Sequence, residues 1–351
     1  MEEKLDLQEF LDKFRSFLSR PKDLAIEGDS NLHYKFIQEL FSYTFKAPVK
    51  VKNLDRELRH LQKQGILHLD EIFEFIKIIR YFLYLKGLKF EGNLKEWLDT
   101  IVIPDEILQI EKFFDEKGQL LSSVDERLED LQKALQNNKT HIKQKLQSLI
   151  NANKLQSYLV DRQIHYVAGE EALLVRGGFN HVLKATVVGR SSGGFFYVVP
   201  EALKKLKEKE AEILSQIEEI HYQIQKYISA TFTKWLKFLV FLNKAFDRFD
   251  HYQARVFFAK QEGLFIILPR NDRKIMLKEF RHPAIENPKP ISIDFSKKVL
   301  IITGVNAGGK TMLLKSLLSA VYLAKYLIPM PCDPKSHIGR FKEIIPIIED
   351  P

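Results

Sequence analysis

The chain has 351 residues, which is enough for two or three compact domains. Its composition, 45% hydrophobic and 28% charged, is typical of a globular protein and excludes a wholly disordered or collagen-like chain. The single cysteine, Cys332, excludes an internal disulfide and a thiolate metal cage, and the acidic Glu2 and Glu3 argue against a signal peptide. We therefore expect a cytoplasmic location. No segment approaches the roughly 18 apolar residues of a membrane helix, so no membrane partner is expected.

The net charge of +8 is concentrated towards the C-terminus. Residues 1–240 contain 36 Lys and Arg against 35 Asp and Glu, whereas residues 241–351 contain 18 against 11. Such an excess suits binding of nucleotide phosphates or nucleic acid. A basic domain without a polyanionic partner is an equally good interpretation of the charge alone.

The first hundred residues have the apolar spacing of helices. Hydrophobic side chains recur three and four residues apart from Leu5 to Leu18, and residues 70–85 repeat the pattern. Asp29 stands where a capping residue would begin another helix. The sequence therefore predicts a helical core over residues 1–105.

Two long helical segments flank a stretch of different character. Residues 106–159 carry leucines at helical spacing and predict a long lever helix, and Leu203 to Tyr227 follow the alternating three and four spacing of a coiled-coil seam. Residues 160–200 instead alternate apolar and polar side chains between glycines, which predicts a small antiparallel sheet. Because the two helices must pair to bury the seam, we expect an antiparallel coiled-coil lever with a β-rich clamp at its tip. The chain then returns through residues 201–262, where a further helix is expected from about Ser229 to Gln261, and the apolar run over residues 263–269 predicts a strand.

The strongest chemical motif lies in the last segment, residues 263–351. Residues 299–311 read VLIITGVNAGGKT, a buried-strand pattern that leads into G-x-x-x-x-G-K-T and then into a helical pattern. Glycine lets the backbone turn its N–H groups towards a polyphosphate, Lys310 would reach the β- and γ-phosphates, and the Thr311 hydroxyl would coordinate Mg²⁺. The predicted site for ATP and Mg²⁺ consists of Gly304, Val305, Asn306, Ala307, Gly308, Gly309, Lys310 and Thr311.

The predicted fold class is multidomain and mainly α, with residues 263–351 as the first part of an α/β P-loop ATPase domain. A hydrolysing domain of that kind also needs an acidic residue at the end of a second strand. After Thr311 the only apolar run that ends in acids is 344–350, which closes with Glu349 and Asp350. We therefore expect no complete catalytic set, a chain that stops inside its nucleotide domain, and weak or no ATP hydrolysis.

The order of these segments resembles the MutS family of mismatch-repair ATPases. The loop TGVNAGGKT is similar to the family's TGPNxGGKT, with Val305 in place of the usual proline, and Arg281-His282-Pro283 lies upstream as in the family. The chain begins at the helical core, and VGRSSGGFFYVVP is similar to the clamp segment HDQSASGATLFIEP without its acidic and threonine positions. These features point to the MutS-II branch, whose members lack the domains that read mismatches.

That resemblance carries functional implications. Full-length members of the branch are homodimers that bind and hydrolyse ATP, hold branched DNA such as Holliday junctions or D-loops, and suppress homologous recombination. A C-terminal nuclease domain usually completes them. An alternative is an ATPase that acts on collided ribosomes and holds ribosomal RNA. A coiled-coil ATPase of chromosome organisation is disfavoured, because its P-loop precedes the coiled coil.

Candidate contact residues follow from the resemblance and from charge. By the resemblance, Arg281, His282 and Pro283 would frame the adenine. An equally good interpretation is that Arg281 is structural and that His282 is solvated at the end of a strand. Positive side chains in the predicted clamp would touch a phosphodiester backbone without reading sequence. The candidates for DNA contact are Arg162, Arg176, Lys184 and Arg190.

The predicted clamp contains two further groups of interest. His165 and His181 flank its strands and are candidates for phosphate contact, but lone histidines are more often surface residues, and no Cys or acidic spacing makes them metal ligands. Phe195, Phe196 and Tyr197 are candidates for stacking on bases. In a β-module such aromatic side chains more often form the core.

Overall fold

The computed structural model describes residues 1–303 and 309–347 of the chain. These residues divide into two compact units, Met1–Glu111 with Thr231–Pro351, and Lys112–Ala230. Helices dominate both, and each contains a small antiparallel sheet. The chain is thus a mainly α protein of more than one domain, as the sequence predicts.

The helices and strands of the described residues are as follows. The helices are α1 Gln8–Arg15, α2 Ser30–Phe41, α3 Asp55–Gln62, α4 Leu69–Gly87, α5 Gly92–Asp99, α6 Asp105–Glu111, α7 Glu126–Ile150, α8 Asn153–Gln156, α9 Lys204–Lys234, α10 Leu236–Glu262 and α11 Lys310–Lys325. The strands are β1 Leu159–Val167, β2 Glu170–Val175, β3 Ala185–Arg190, β4 Phe196–Pro200, β5 Ile275–Phe280, β6 Ile291–Phe295 and β7 His337–Ile338.

The N-terminal helices form for local reasons that the sequence shows. Asp29 caps α2, since its carboxylate accepts a hydrogen bond from the backbone N–H of Asn31 at 2.9 Å. The helix expected over 70–85 is α4, with Ile76 and Phe82 among its fully buried residues. Both local predictions are confirmed.

The helix α10 forms the centre of the first unit. Phe249, Tyr252 and Phe258 on this helix are all fully buried, as expected for a helix that is surrounded by protein. Phe14 of α1 packs edge-on against Phe258 with ring centroids 5.6 Å apart. The same hydrophobic core includes Leu323 of α11, so the helix that follows the glycine loop is anchored against α10 and the N-terminal segment.

The second unit is built on a four-stranded antiparallel sheet with strand order β1-β2-β4-β3. The small antiparallel sheet predicted from the alternating pattern is therefore present. Leu173 and Val198 on neighbouring strands are fully buried and share a core with Ile142 and Leu146 of α7. One face of the sheet thus packs against the end of a long helix.

The two long helices of this unit run antiparallel. The amide nitrogen of Asn138 on α7 donates to the backbone carbonyl of Leu206 on α9 at 2.9 Å, and Arg127 donates to the side-chain oxygen of Gln223 at 3.3 Å. Arg127 precedes Asn138 on α7, whereas its partner Gln223 follows Leu206 on α9, so the two helices run in opposite directions. Asn138 is 2% exposed, which makes it a buried polar group between the helices.

Only part of residues 106–159 forms the predicted long helix. α6 ends at Glu111, and a turn with Gly118 at φ +84° lets Phe114 bridge to Leu120. Asp125 then caps α7 by accepting from the backbone N–H of Arg127 at 3.0 Å. The prediction of one long helix over residues 106–159 is wrong, because a glycine in the left-handed region and a new capping carboxylate outweigh the leucine spacing.

Two further predictions about chain continuity need correction. The helix expected to run unbroken from Ser229 is interrupted between α9 and α10 at Trp235, whose indole N–H donates to Glu106 at 2.8 Å. The strand expected over 263–269 is instead an isolated bridge between Phe265 and Met330. Nearby, β5 pairs with β6 and β7 in a separate three-stranded antiparallel sheet.

Candidate nucleotide and nucleic-acid sites

The end of the glycine loop lies directly at a helix N-terminus. Gly309 has φ +80° and precedes α11, which begins at Lys310 without a side-chain cap. The first backbone N–H groups of a helix have no partner within it, and the helix dipole favours an anion there. Thr311 is exposed and Lys310 half-buried. This arrangement suits a phosphate group, while Gly304, Val305, Asn306, Ala307 and Gly308 lie outside the described residues.

The helix α11 is also tied to the N-terminus of the chain. Lys315 forms an ion pair with Asp6 at 2.8 Å, and the hydroxyl of Tyr322 donates to Glu2 at 3.3 Å. Ala320 of this helix is fully buried. The first residues of the chain therefore hold the helix that carries the candidate phosphate site.

The strand predicted before the loop is wrong. Residues 299–303 are not part of a sheet, and Val299 and Ile301 are 73% and 79% exposed. An apolar strand is stable only when neighbouring strands accept its hydrogen bonds and cover its side chains. Among the described residues β6, the nearest preceding strand, pairs with β5 alone.

His282 is buried rather than solvated. It is 1% exposed, its Nδ1 accepts a hydrogen bond from the backbone N–H of Ala284 at 3.2 Å, and its Nε2 lies 3.1 Å from the hydroxyl of Ser319 on α11. Because Nδ1 accepts, the proton is on Nε2, which donates to Ser319. Burial lowers the pKa of His282. The alternative of a solvated histidine is therefore wrong.

The residues beside His282 are arranged differently. Arg281 is exposed, and its backbone N–H donates to the carbonyl of Pro331 at 2.9 Å, whereas Pro283 is half-buried. The histidine thus links this segment to α11 while Arg281 faces solvent. Sequence analysis could not identify Ser319 as the partner, because it lies 37 residues further along the chain.

The four candidate DNA contacts are all exposed on the second unit. Val175 and Arg190 both pair with Phe196, so Arg176 and Arg190 lie at the same end of the sheet. Arg162 lies in the β1 bulge towards this end, whereas Lys184 lies at the opposite end beside the pair Ala185 and Pro200. The guanidinium of Arg190 is 4.9 Å from the centre of the Phe196 ring. Three of the four, Arg162, Arg176 and Arg190, thus lie towards the same end of the sheet.

The histidines and aromatic residues of the sheet have mainly internal partners. Nε2 of His165 lies 2.9 Å from the carboxylate of Asp161, and its ring is 5.3 Å from that of Tyr197. Phe196 is half-buried and packs against the core of the unit, while His181 is exposed. The core interpretation of Phe196 is therefore confirmed.

Neither a metal cluster nor a membrane segment is found in the part of the chain that the structure describes. Residues 1–303 and 309–347 contain no group of three or more His, Cys, Asp or Glu side chains placed to hold a metal ion. No helix within these ranges is long and apolar enough to cross a bilayer.

Comparison with known proteins identifies relatives along the whole chain. Endonuclease MutS2 of Helicobacter pylori strain ATCC 700392 / 26695 is 39% identical over 357 aligned positions, which cover 100% of the chain. The chain is thus a homologue of proteins named MutS2. MutS2 of Streptococcus uberis is 23% identical over 99% of the chain, and MutS2 of Aquifex aeolicus 30% identical over 67%.

The relatives are longer proteins. The chain spans 47% of the MutS2 proteins of Helicobacter pylori and Streptococcus uberis, and the match covers 32% of that of Aquifex aeolicus. No protein-family model matches the chain. The similarity to MutS2 thus concerns about half of each of the first two relatives.

Proposed function

We propose that the chain binds ATP with Mg²⁺ at residues 304–311 and holds branched DNA, such as a Holliday junction or a D-loop. The observation that carries the nucleotide half is the start of α11 at Lys310, immediately after Gly309 in the left-handed region. The uncapped helix end and the exposed Thr311 both stand where the motif requires a phosphate. The DNA half rests on similarity to MutS2 and on the exposed basic side chains of the second unit.

Different residues of the site would bind the phosphates, the Mg²⁺ ion and the adenine. Lys310 would neutralise the β- and γ-phosphates, and the first-turn N–H groups of α11 would donate to phosphate oxygens. The Thr311 hydroxyl would hold Mg²⁺, which neutralises charge between the phosphates when bound. Arg281, exposed beside the buried His282, is the residue we propose to lie near the adenine, with Pro283 as its neighbour.

We propose that this chain hydrolyses ATP weakly or not at all. Residues 344–347, the candidate acid-ended strand, are not part of a sheet, and Ile345 and Ile347 are 68% and 82% exposed. Glu349 and Asp350 lie outside the described residues. Within the described residues, the segment 344–347 therefore provides no strand whose end would present an acidic side chain to Mg²⁺.

The antiparallel helices α7 and α9 and their sheet support the proposal of a coiled-coil lever with a clamp. In a homodimer, ATP binding between the two nucleotide domains would change the angle between levers and so open or close the space between clamps. Holding recombination intermediates in that space would suppress homologous recombination in the cytoplasm. A collided ribosome is the alternative partner, with ribosomal RNA in place of DNA.

Binding of the purified 351-residue chain to a four-way DNA junction tests this function. We expect the junction to bind at least about tenfold more tightly than a linear duplex of the same total length, equivalent to 1.4 kcal/mol. Fluorescence anisotropy at fixed salt measures both dissociation constants. A linear duplex that competes as well as the junction would contradict branched-DNA binding, and preferential binding of a ribosomal RNA helix would favour the ribosome.

A further inference from the structure

The second unit carries its charge unevenly. Between Asp130 and Asp161 the sequence has no Asp or Glu, yet this acid-free segment covers most of α7 and all of α8. Residues 204–230 of the antiparallel helix α9 contain five lysines and five glutamates. The acid-free segment is therefore basic, whereas residues 204–230 of α9 are balanced. The acid-free segment contains Lys133, Lys139, Lys143, Lys145 and Lys154.

Three of these lysines are available to a partner. Lys139, Lys143 and Lys145 are exposed and form no ion pair within the part of the chain that the structure describes. Lys133, in contrast, pairs with Glu129 at 2.7 Å. Exposed lysines without a carboxylate partner keep their full field towards solvent.

Helix geometry places these lysines on both sides of one face. Successive residues of an α-helix are about 100° apart. Relative to the buried Ile142 and Leu146, Lys139 and Lys143 flank the buried stripe on one side and Lys145 flanks it on the other. Exposed uncharged polar residues lie between the two flanks, on the outward face. They are Gln136, Thr140, Gln144 and Gln147.

The carboxylates near Lys139 and Lys143 already have a lysine partner, Lys207. The two lysines line a groove of about 690 Å³ that also contains Glu170, Glu171 and Glu210. Lys207 lies between these carboxylates, 3.1 Å from Glu170 and 3.2 Å from Glu210, and also contacts Glu171.

We propose that the outward face of α7 around Lys139, Lys143 and Lys145 binds the phosphodiester backbone of double-stranded DNA. Lysine, glutamine and threonine side chains are common phosphate contacts and read no base sequence. This inference rests on the proposed function and locates its main contact on the helix.

The test compares two triple variants of the full chain that change net charge equally. One is Lys139→Gln, Lys143→Gln and Lys145→Gln on α7. The control is Lys204→Gln, Lys205→Gln and Lys209→Gln on α9, where all three lysines are exposed and interspersed with glutamates. Dissociation constants for a DNA duplex are measured by anisotropy at several salt concentrations, and circular dichroism checks folding.

We expect the α7 variant to bind DNA about tenfold or more weakly at 0.1 M salt, with the slope of log K against log[salt] reduced by about 2 to 3. The α9 variant should lose less than about threefold, with a slope close to the parent. Equal losses in both variants, or an unchanged slope in the α7 variant, would overturn the inference while leaving DNA binding intact. A parent chain that binds no DNA would overturn the proposed function as well.

Discussion

Replacing Arg255 with leucine is expected to lower the free energy of unfolding of the first unit by about 3 kcal/mol. Arg255 is fully buried in α10 and donates hydrogen bonds to the carbonyls of Leu24 at 2.7 Å, Tyr326 at 2.8 Å and His251 at 2.9 Å. Each buried carbonyl left without a donor costs about 1 to 3 kcal/mol. Burial lowers the pKa of Arg255 to about 9, so the side chain is charged at neutral pH.

The opposing effect is the cost of burying that charge. Replacement of a buried ion pair by apolar side chains is often neutral or stabilising. Arg255 instead bonds the neutral carbonyls of Leu24 in the N-terminal segment and of Tyr326 at the end of α11, which leucine cannot satisfy, whereas the carbonyl of His251 keeps its backbone bond within α10. We therefore expect the lost hydrogen bonds to outweigh the relief of desolvation.

Denaturant unfolding monitored by tryptophan fluorescence measures this effect. Both tryptophans, Trp97 and Trp235, belong to the first unit, so the signal reports its unfolding. The control is Arg248→Leu on the same helix, at an exposed position where a change within about 0.5 kcal/mol is expected. An Arg255→Leu variant as stable as the parent would show that burying the charge costs as much as its bonds contribute.

The first unit is also expected to lose stability as pH falls below about 6.5, by about 2 kcal/mol from His251 alone between pH 6.5 and 5. His33, His251 and His282 are all at least nine-tenths buried. Nδ1 of His251 accepts from the guanidinium of Arg255 at 3.2 Å, as Nδ1 of His282 accepts from Ala284. A proton added at either Nδ1 would point at the N–H group that donates to that nitrogen and would therefore break the hydrogen bond.

The direction of the pH effect follows from the pKa values. Burial lowers the pKa of all three histidines, that of His251 to about 2 with help from Arg255 and Lys22. Below the unfolded pKa of about 6.5, the unfolded chain binds protons that the folded chain does not, so the stability present above pH 6.5 is lost as pH falls.

Denaturant unfolding at pH 7, 6 and 5 measures this loss. His251→Asn keeps an acceptor for Arg255 and should reduce the pH slope, whereas His141→Gln at an exposed position should leave it unchanged. A free energy of unfolding that is constant from pH 7 to 5 would contradict the account.

Local patterns in the sequence predicted the elements whose stability is itself local. The cap at Asp29, the helix α4 and the alternating strands of the four-stranded sheet depend on neighbours within a few residues or on adjacent hairpin strands. The break at Gly118 was also visible as a glycine, but leucine spacing on both sides concealed it. Short-range periodicity does not show where one helix stops and the next begins.

Long-range contacts could not be predicted in the same way. Residues 299–303 have the composition of a buried strand, yet such a strand needs partner strands, and composition alone cannot supply them. The hydrogen bond of the buried His282 is made with Ser319, and the guanidinium of Arg255 donates to the carbonyls of Tyr326 and Leu24, which are 71 and 231 residues away in the chain. At the candidate nucleotide site, the motif predicted a helix that begins near Lys310, because the glycine loop and the helical spacing are adjacent in the chain.

Binding of Mg·ATP to the 351-residue chain tests the central claim most directly, and isothermal titration calorimetry measures it. We predict one ATP per chain, and a loss of about 100-fold in affinity, equivalent to 2.7 kcal/mol, on replacing Lys310 with alanine. Lys289→Ala, at an exposed position before β6, should bind as the parent does. Absence of binding by the parent chain, or equal affinity in the Lys310→Ala variant, would contradict a nucleotide site at residues 304–311.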